Sequence, residues 1–232
     1  MNDLLNTLLS DARLWRGHRQ STTATAPEQT GFAALDKELD GLGWPRGALS
    51  ECLLDAPGIG ELQLVLPLLR RLTAQQRTVF WVNPPLIPYA PALAREGVDL
   101  GQLVSVRTDT QSDLLWTLEN CLRSPVTGLV MAWPGPLAAR DVRRLQLAAE
   151  AGQSHCILFQ SRREACQSSA AALRLELDPD IRMGLQVRVR KRRGGWPGQG
   201  CTLSMQARAG LGRTEPGATI IPGPWTGGAT RG

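Results

Sequence analysis

Residues 48–66 read ALSECLLDAPGIGELQLVL, and this stretch decides the fold. Ala48–Leu54 is a mostly apolar run of strand length. Asp55–Gly60 is a loop containing Pro57, Gly58 and Gly60, residues that turn a chain cheaply. From about Glu61 to Leu72 the apolar residues recur at helical spacing. Strand, loop and helix in that order open a βαβ unit.

Outward from there the alternation continues. Thr78–Val82, Leu103–Val106, Gly128–Ala132 and Cys156–Phe159 read as short, mostly apolar strands. Tyr89–Glu96, Ser112–Leu122 and Leu137–Ala151 read as the helices between them. Near-continuously apolar strands separated by helices predict a mostly parallel sheet covered on both faces. Beyond residue 170 the period changes to two. Leu173–Leu177, Leu185–Arg190 and Cys201–Ala207 read as antiparallel strands with one solvated face. Upstream, Phe32, Leu35 and Leu39 fall on one side of a short helix.

The expected organisation is an amphipathic helix in residues 1–20, a linker at 21–29, a core at 30–208 and a Gly/Pro-rich disordered tail at 209–232. Leu5, Leu8, Leu9 and Trp15 form the apolar stripe of the first segment, and Trp225 stands in the last. These five residues are candidates for docking a partner. No stretch is apolar enough to span a bilayer, and the N-terminus lacks a signal-peptide pattern, so the expected location is the cytoplasm, with no membrane partner. Five scattered Cys without a CxxC pair argue against a disulfide framework or a zinc knuckle. With only His18 and His155, no metal site is expected. Trp44, Trp81, Trp116 and Trp133 sit in apolar contexts and read as core.

The strand–loop–helix position is where a nucleotide-binding P-loop, GxxxxGK[ST], would lie. Its glycines open backbone N–H groups to phosphate, its lysine neutralises charge and its hydroxyl holds Mg²⁺. Here Asp55 replaces the first glycine. Gly58 and Gly60 remain, but Glu61 stands at the lysine position and Leu62 at the hydroxyl position. A carboxylate repels a triphosphate and a leucine ligates no metal. No cofactor and no catalytic residue are expected.

The run Thr78–Leu103, TVFWVNPPLIPYAPALAREGVDLGQL, resembles the part of RecA that follows its P-loop helix, including the turn Gly97-Val98-Asp99. That resemblance implies a RecA-like P-loop core. It places the family's catalytic glutamate on Pro85 and its metal-binding aspartate on Trp133. The chain further resembles the ImuA family of translesion-synthesis proteins, degenerate RecA-like relatives grouped with the cell-division inhibitor SulA. The residues that carry this are Thr30–Asp36, Gly43–Gly47, Gly58–Leu62, Pro84-Pro85 with Pro88–Pro91, Leu145–Ala149 and Lys191–Gly195. The resemblance implies a non-enzymatic accessory protein of SOS mutagenesis with RecA and ImuB as partners. The alternative it leaves open is a SulA-like inhibitor that binds the tubulin-like division protein.

The net charge is +5, almost all of it from arginine. Between Arg182 and Arg213 there are eight basic residues and no acidic one. Such a cluster makes a positive field suited to nucleic acid or an acidic partner. Arg188, Arg190, Lys191, Arg192, Arg193 and Trp196 are therefore the candidates for DNA or partner binding. Arg162 and Arg163 join them from the segment where the RecA resemblance places a DNA-binding loop.

Overall fold

The computed structural model describes residues 28–165, 168–180, 184–195, 198 and 200–204. The expected N-terminal helix, most of the linker, Trp196 and the C-terminal tail lie outside the described residues. Within them the chain is a mixed α/β body. Eight strands form one sheet: β1 (Ala48–Leu54), β2 (Thr78–Val82), β3 (Leu103–Val106), β4 (Thr127–Ala132), β5 (His155–Ser161), β6 (Leu173–Asp180), β7 (Gly184–Arg192) and β8 (Cys201–Ser204). The helices are α1 (Ala33–Glu38), α2 (Glu61–Ala74), α3 (Ala90–Arg95), α4 (Gln111–Arg123) and α5 (Ala139–Gly152), with a 3-10 turn at Leu100–Gln102.

The strand order is β3-β2-β4-β5-β1-β6-β7-β8. From β3 to β6 every pair is parallel. β7 runs antiparallel to both β6 and β8. β1 and β4 are buried at every position, as strands covered on both faces must be. Side chains alternate along β4 between two cores. Leu129 and Met131 pack with α2, Trp81 and the apolar side of β6 and β7. Val130 and Ala132 pack with Leu114, Leu118 and Leu122 of α4 and with Val142, Leu145 and Ala149 of α5. So α1, α2 and α3 lie over one face, and α4 and α5 over the other.

Local chemistry sets the ends of these elements. Thr110 caps α4 by accepting the Asp113 N–H at 3.1 Å. α5 closes on Gln153 in the left-handed region, next to Gly152. A Cβ on Gly152 would lie 1.9 Å from the Leu122 carbonyl oxygen, so only glycine lets the two helix ends approach. Gly43, at φ +57°, likewise lies against the Glu28 carbonyl. That carbonyl accepts the Trp44 N–H at 2.7 Å, and Glu28 pairs with Arg71 of α2. Glu28 and Gln29, placed in the linker on sequence, are thus fastened to the core.

Two expectations need correction. Leu173–Leu177 is buried at all five positions and has no solvated face. It lies between β1 and β7, and its polar side is covered because Arg174 and Glu176 find partners there. Trp116 is 65% exposed and is not core. The buried stripe of α4 is Leu114, Leu118 and Leu122, spaced by four, and Trp116 falls between its members on the opposite side of the helix.

Candidate functional site

The loop after β1 is closed by its own next residue. The Gly58 N–H donates to Glu61 Oε1 at 2.7 Å. The N–H groups of Ile59 and Gly60 donate to Oε2 at 2.9 and 3.1 Å. Gly58 and Gly60 are both in positive-φ conformations, at +88° and +109°, which turns successive N–H groups to one side. A concave nest of N–H groups at a helix N-terminus is a ready anion site. Here the anion is the Glu61 carboxylate, and Glu61 is only 4% exposed. The sequence identifies Glu61 as hostile to phosphate. The folded chain adds that its carboxylate itself occupies the nest of N–H groups.

The surrounding positions carry no nucleotide chemistry. Leu62 packs against the core. Trp133, at the end of β4, stacks on Phe159 with ring centroids 4.8 Å apart, and lies 6.0 Å from Trp81. Where the RecA resemblance puts a metal-binding carboxylate there is an aromatic stack. Pro85 is exposed in the loop after β2. Among the described residues no group of His, Cys, Asp and Glu is arranged to hold a metal ion. Cys52 and Cys156 are fully buried, and desolvation pushes their thiols far up. His155 is buried, and desolvation pulls it down to about 4, so it is neutral at pH 7.

The basic residues chosen on sequence are separated by the fold, and most acquire carboxylates. Arg162 turns inward: its Nη2 pairs with Asp178 at 2.5 Å and donates to the Leu177 carbonyl, while Nη1 lies 3.9 Å from Asp55. Arg190 pairs with Glu176 at 2.7 Å, Arg192 with Asp40 at 2.5 Å and Arg193 with Glu150 at 3.0 Å. Lys191 donates to the Ser169 carbonyl. Arg163 and Arg188 are exposed. Within residues 188–193 the expected positive field is reduced by these pairings, with Arg188 left exposed. Their counter-charges come from Asp40, Glu150 and Glu176, which are distant in sequence. Leu5, Leu8, Leu9, Trp15, Trp196 and Trp225 lie outside the described residues.

One charge pair that sequence reasoning missed is fully internal. Glu51 of β1 has no exposed surface, and its Oε2 lies 2.6 Å from Nε of Arg174 on the neighbouring strand β6. Burial pushes the Glu51 carboxyl up, and Arg174 and Ser169 pull against that shift. The signal was there: a lone carboxylate within the apolar run 48–54 demands a partner.

Two exposed apolar surfaces remain. At the β3 edge a groove of about 290 Å³ is lined by Trp81, Ile87, Leu93, Leu100, Leu103 and Arg107. Leu86, Ile87 and Tyr89 beside it are 73%, 86% and 71% exposed. On the other sheet face Trp116 of α4 and Leu147 of α5 stand out among arginines.

Comparison with known proteins adds a family likeness. The family described as cell division inhibitor SulA matches residues 47–156, just under half of the chain. Over that segment the chain is similar to SulA. SulA of Serratia proteamaculans is 27% identical over 146 residues, covering 62% of this chain and 87% of that protein. SulA of Edwardsiella piscicida is 33% identical over 97 residues, covering 42% of this chain. The chain spans 58% of the length of the Edwardsiella protein. The crystal structure of SulA from Pseudomonas aeruginosa aligns with a TM-score of 0.41 at 24% identity, over 49% of this chain and 97% of that one. The matched segment runs from just before β1 to the start of β5, so it includes the Glu61 loop, the groove and both α4 and α5. No helix among the described residues is long and apolar enough to cross a membrane.

Proposed function

We propose that this chain is a non-catalytic binding protein of the DNA-damage response, which restrains cell division by binding the tubulin-like division protein. The observation that carries the non-catalytic half is the Glu61 carboxylate seated on three loop N–H groups. A phosphate would have to displace a tethered anion that is already hydrogen-bonded, with no lysine to favour the exchange. The core is read as a RecA-like P-loop body whose strand, loop and helix survive at β1, Asp55–Gly60 and α2. Its positions for lysine, hydroxyl, catalytic glutamate and metal-binding aspartate hold Glu61, Leu62, Pro85 and Trp133. The likeness to SulA over residues 47–156 supports the choice of partner. A cytoplasmic location goes with that partner.

Expression from an inducible promoter in an undamaged bacterial host tests this reading. Filamentation, with loss of division rings, is the expected outcome. Normal division at high expression would remove it. Calorimetry with ATP and Mg²⁺ should give no binding at micromolar concentration, and such binding would overturn the account of Glu61.

A second reading is favoured by one specific observation. Residues 28–46 and strands β6–β8 lie outside the SulA match yet pack into the same core. The folded body is therefore larger than the matched module. This suits the accessory factor of translesion synthesis, acting with RecA, ImuB and DNA. Normal division on expression, together with damage-dependent co-purification of RecA or ImuB, would favour it. In that reading residues 1–20 are the docking segment, and their removal should abolish the association.

A further inference from the structure

The exposed face shared by α4 and α5 has the make-up of an interface that nothing above uses. On α5, Arg140, Arg143, Arg144 and Leu147 follow one another at helical spacing and form a single exposed stripe. On α4, Trp116 is 65% exposed, and on α5 Leu147 is 52% exposed. Between them lies Glu119, one turn along from Trp116. Its carboxylate takes Arg144 from α5 and Arg123 from its own helix. Arg144 is in turn one turn from Leu147. The sequence Trp116, Glu119, Arg144, Leu147 therefore crosses both helices as one strip: apolar at each end, bridged in the middle and flanked by Arg140 and Arg143.

We propose that this face docks an acidic, apolar-bearing segment of a partner protein. Exposed Trp and Arg are the residues that most often anchor protein interfaces, and a lone exposed tryptophan keeps about 65% of its large apolar surface in water until something covers it. The charge at the strip selects the partner's sign. Four arginines face the two carboxylates Glu119 and Asp141. Arg140 is almost fully exposed, 3.8 Å from Asp141, and Arg143 is exposed as well. Asp113, exposed one turn before Trp116 and hydrogen-bonded by Thr110, trims the positive surplus to one and confines it to the α5 side.

The same arrangement disfavours nucleic acid. A polyanion laid along the strip would meet Glu119 at its centre. Arg144 and Arg123 hold that carboxyl below its ordinary range, so it stays ionised. A protein segment can place apolar side chains on Trp116 and Leu147 and its carboxylates outside, against Arg140 and Arg143. The face lies opposite the groove at the β3 edge, since α4 and α5 cover one side of the sheet and Trp81, Leu93 and Leu103 pack on the other. Both surfaces can be occupied at once.

Fluorescence anisotropy of the full chain with three labelled probes tests the proposal. The probes are a short peptide of alternating Glu/Asp and Leu/Phe, its lysine counterpart, and an oligo-dT strand. The acidic peptide should bind, more weakly as salt rises, and the lysine peptide should not. Trp116→Ala with Leu147→Ser should weaken binding about tenfold or more. Arg140→Glu with Arg143→Glu should weaken it comparably at low salt and flatten the salt dependence. All four residues are exposed, so near-UV circular dichroism should be unchanged apart from the lost tryptophan. Failure of the acidic peptide to bind, or binding that both double variants leave intact, overturns the proposal. So does oligo-dT binding that the variants abolish. A dimer in sedimentation that Trp116→Ala with Leu147→Ser dissolves would assign the face to a second copy instead, and would overturn it too.

Discussion

Two arginine-rich regions of this molecule look alike in sequence and differ in the fold. Residues 188–193 carry five basic side chains, and residues 140–144 carry three. On sequence the first is the stronger candidate for binding anions, because no acidic residue lies near it. In the structure Arg190, Arg192 and Arg193 reach Glu176, Asp40 and Glu150. Arg140, by contrast, has only Asp141 of its own helix at 3.8 Å and is 89% exposed, and Arg143 is exposed beside it. A charge count along the chain measures the field only where no distant carboxylate is brought in. Pairing across the sheet turned the first region into a fastening between strands and helices, and left the second to face outward.

The largest effect is expected at the most buried pair, on the strand beside the first region. Arg174 supplies the cation for Glu51 in the interior of the same charged side of the sheet. Arg174→Met leaves that carboxylate without its cation, and should cost about 3–5 kcal/mol in urea unfolding. A loss below about 1 kcal/mol would mean that the ion pair does not hold β6 to β1. At the half-exposed level, Arg190→Ala should cost about 1 kcal/mol, since Glu176 is mostly buried but the arginine is more than half in water. On the open helix, Arg140→Ala with Arg143→Ala should change stability by less than about 0.5 kcal/mol. A clear loss there would show that these arginines also serve the fold, and the contrast between the two regions would fail.

Much of the fold was legible from local pattern. Every strand from β1 to β7 was placed within a few residues, because apolar runs of strand length between turn residues leave little choice. The short α1 was legible from Phe32, Leu35 and Leu39. Less legible was the setting of β6. Its alternation suggested a solvated face, yet Arg174 and Glu176 are covered, since the partner of a buried charge comes from another strand. Trp116 was misread because a tryptophan among leucines suggests core, although its offset from Leu114 and Leu118 already put it on the far side of α4. At the candidate site, the identity of the residues on and around the loop, Glu61, Leu62, Pro85 and Trp133, could be read directly from the sequence. That the Glu61 carboxylate turns back onto the loop could not, because the direction of three N–H groups depends on the positive φ at Gly58 and Gly60.

The sequence by itself determined the kind of molecule: a layered α/β body whose loop after β1 lacks the groups that nucleotide chemistry needs. Periodicity and side-chain type suffice for that, because burial and metal or phosphate binding depend on which residues are present. Only the tertiary structure decided which charges remain free. Ion pairing acts over a few ångströms in space, whatever the separation along the chain, so Arg190 and Arg192 of β7 and Arg193 just after it are paired with Glu176, Asp40 and Glu150. Tertiary contacts likewise decided that the Glu61 loop is filled from within, and that Trp116 and Leu147 face water at the two ends of the Glu119–Arg144 bridge.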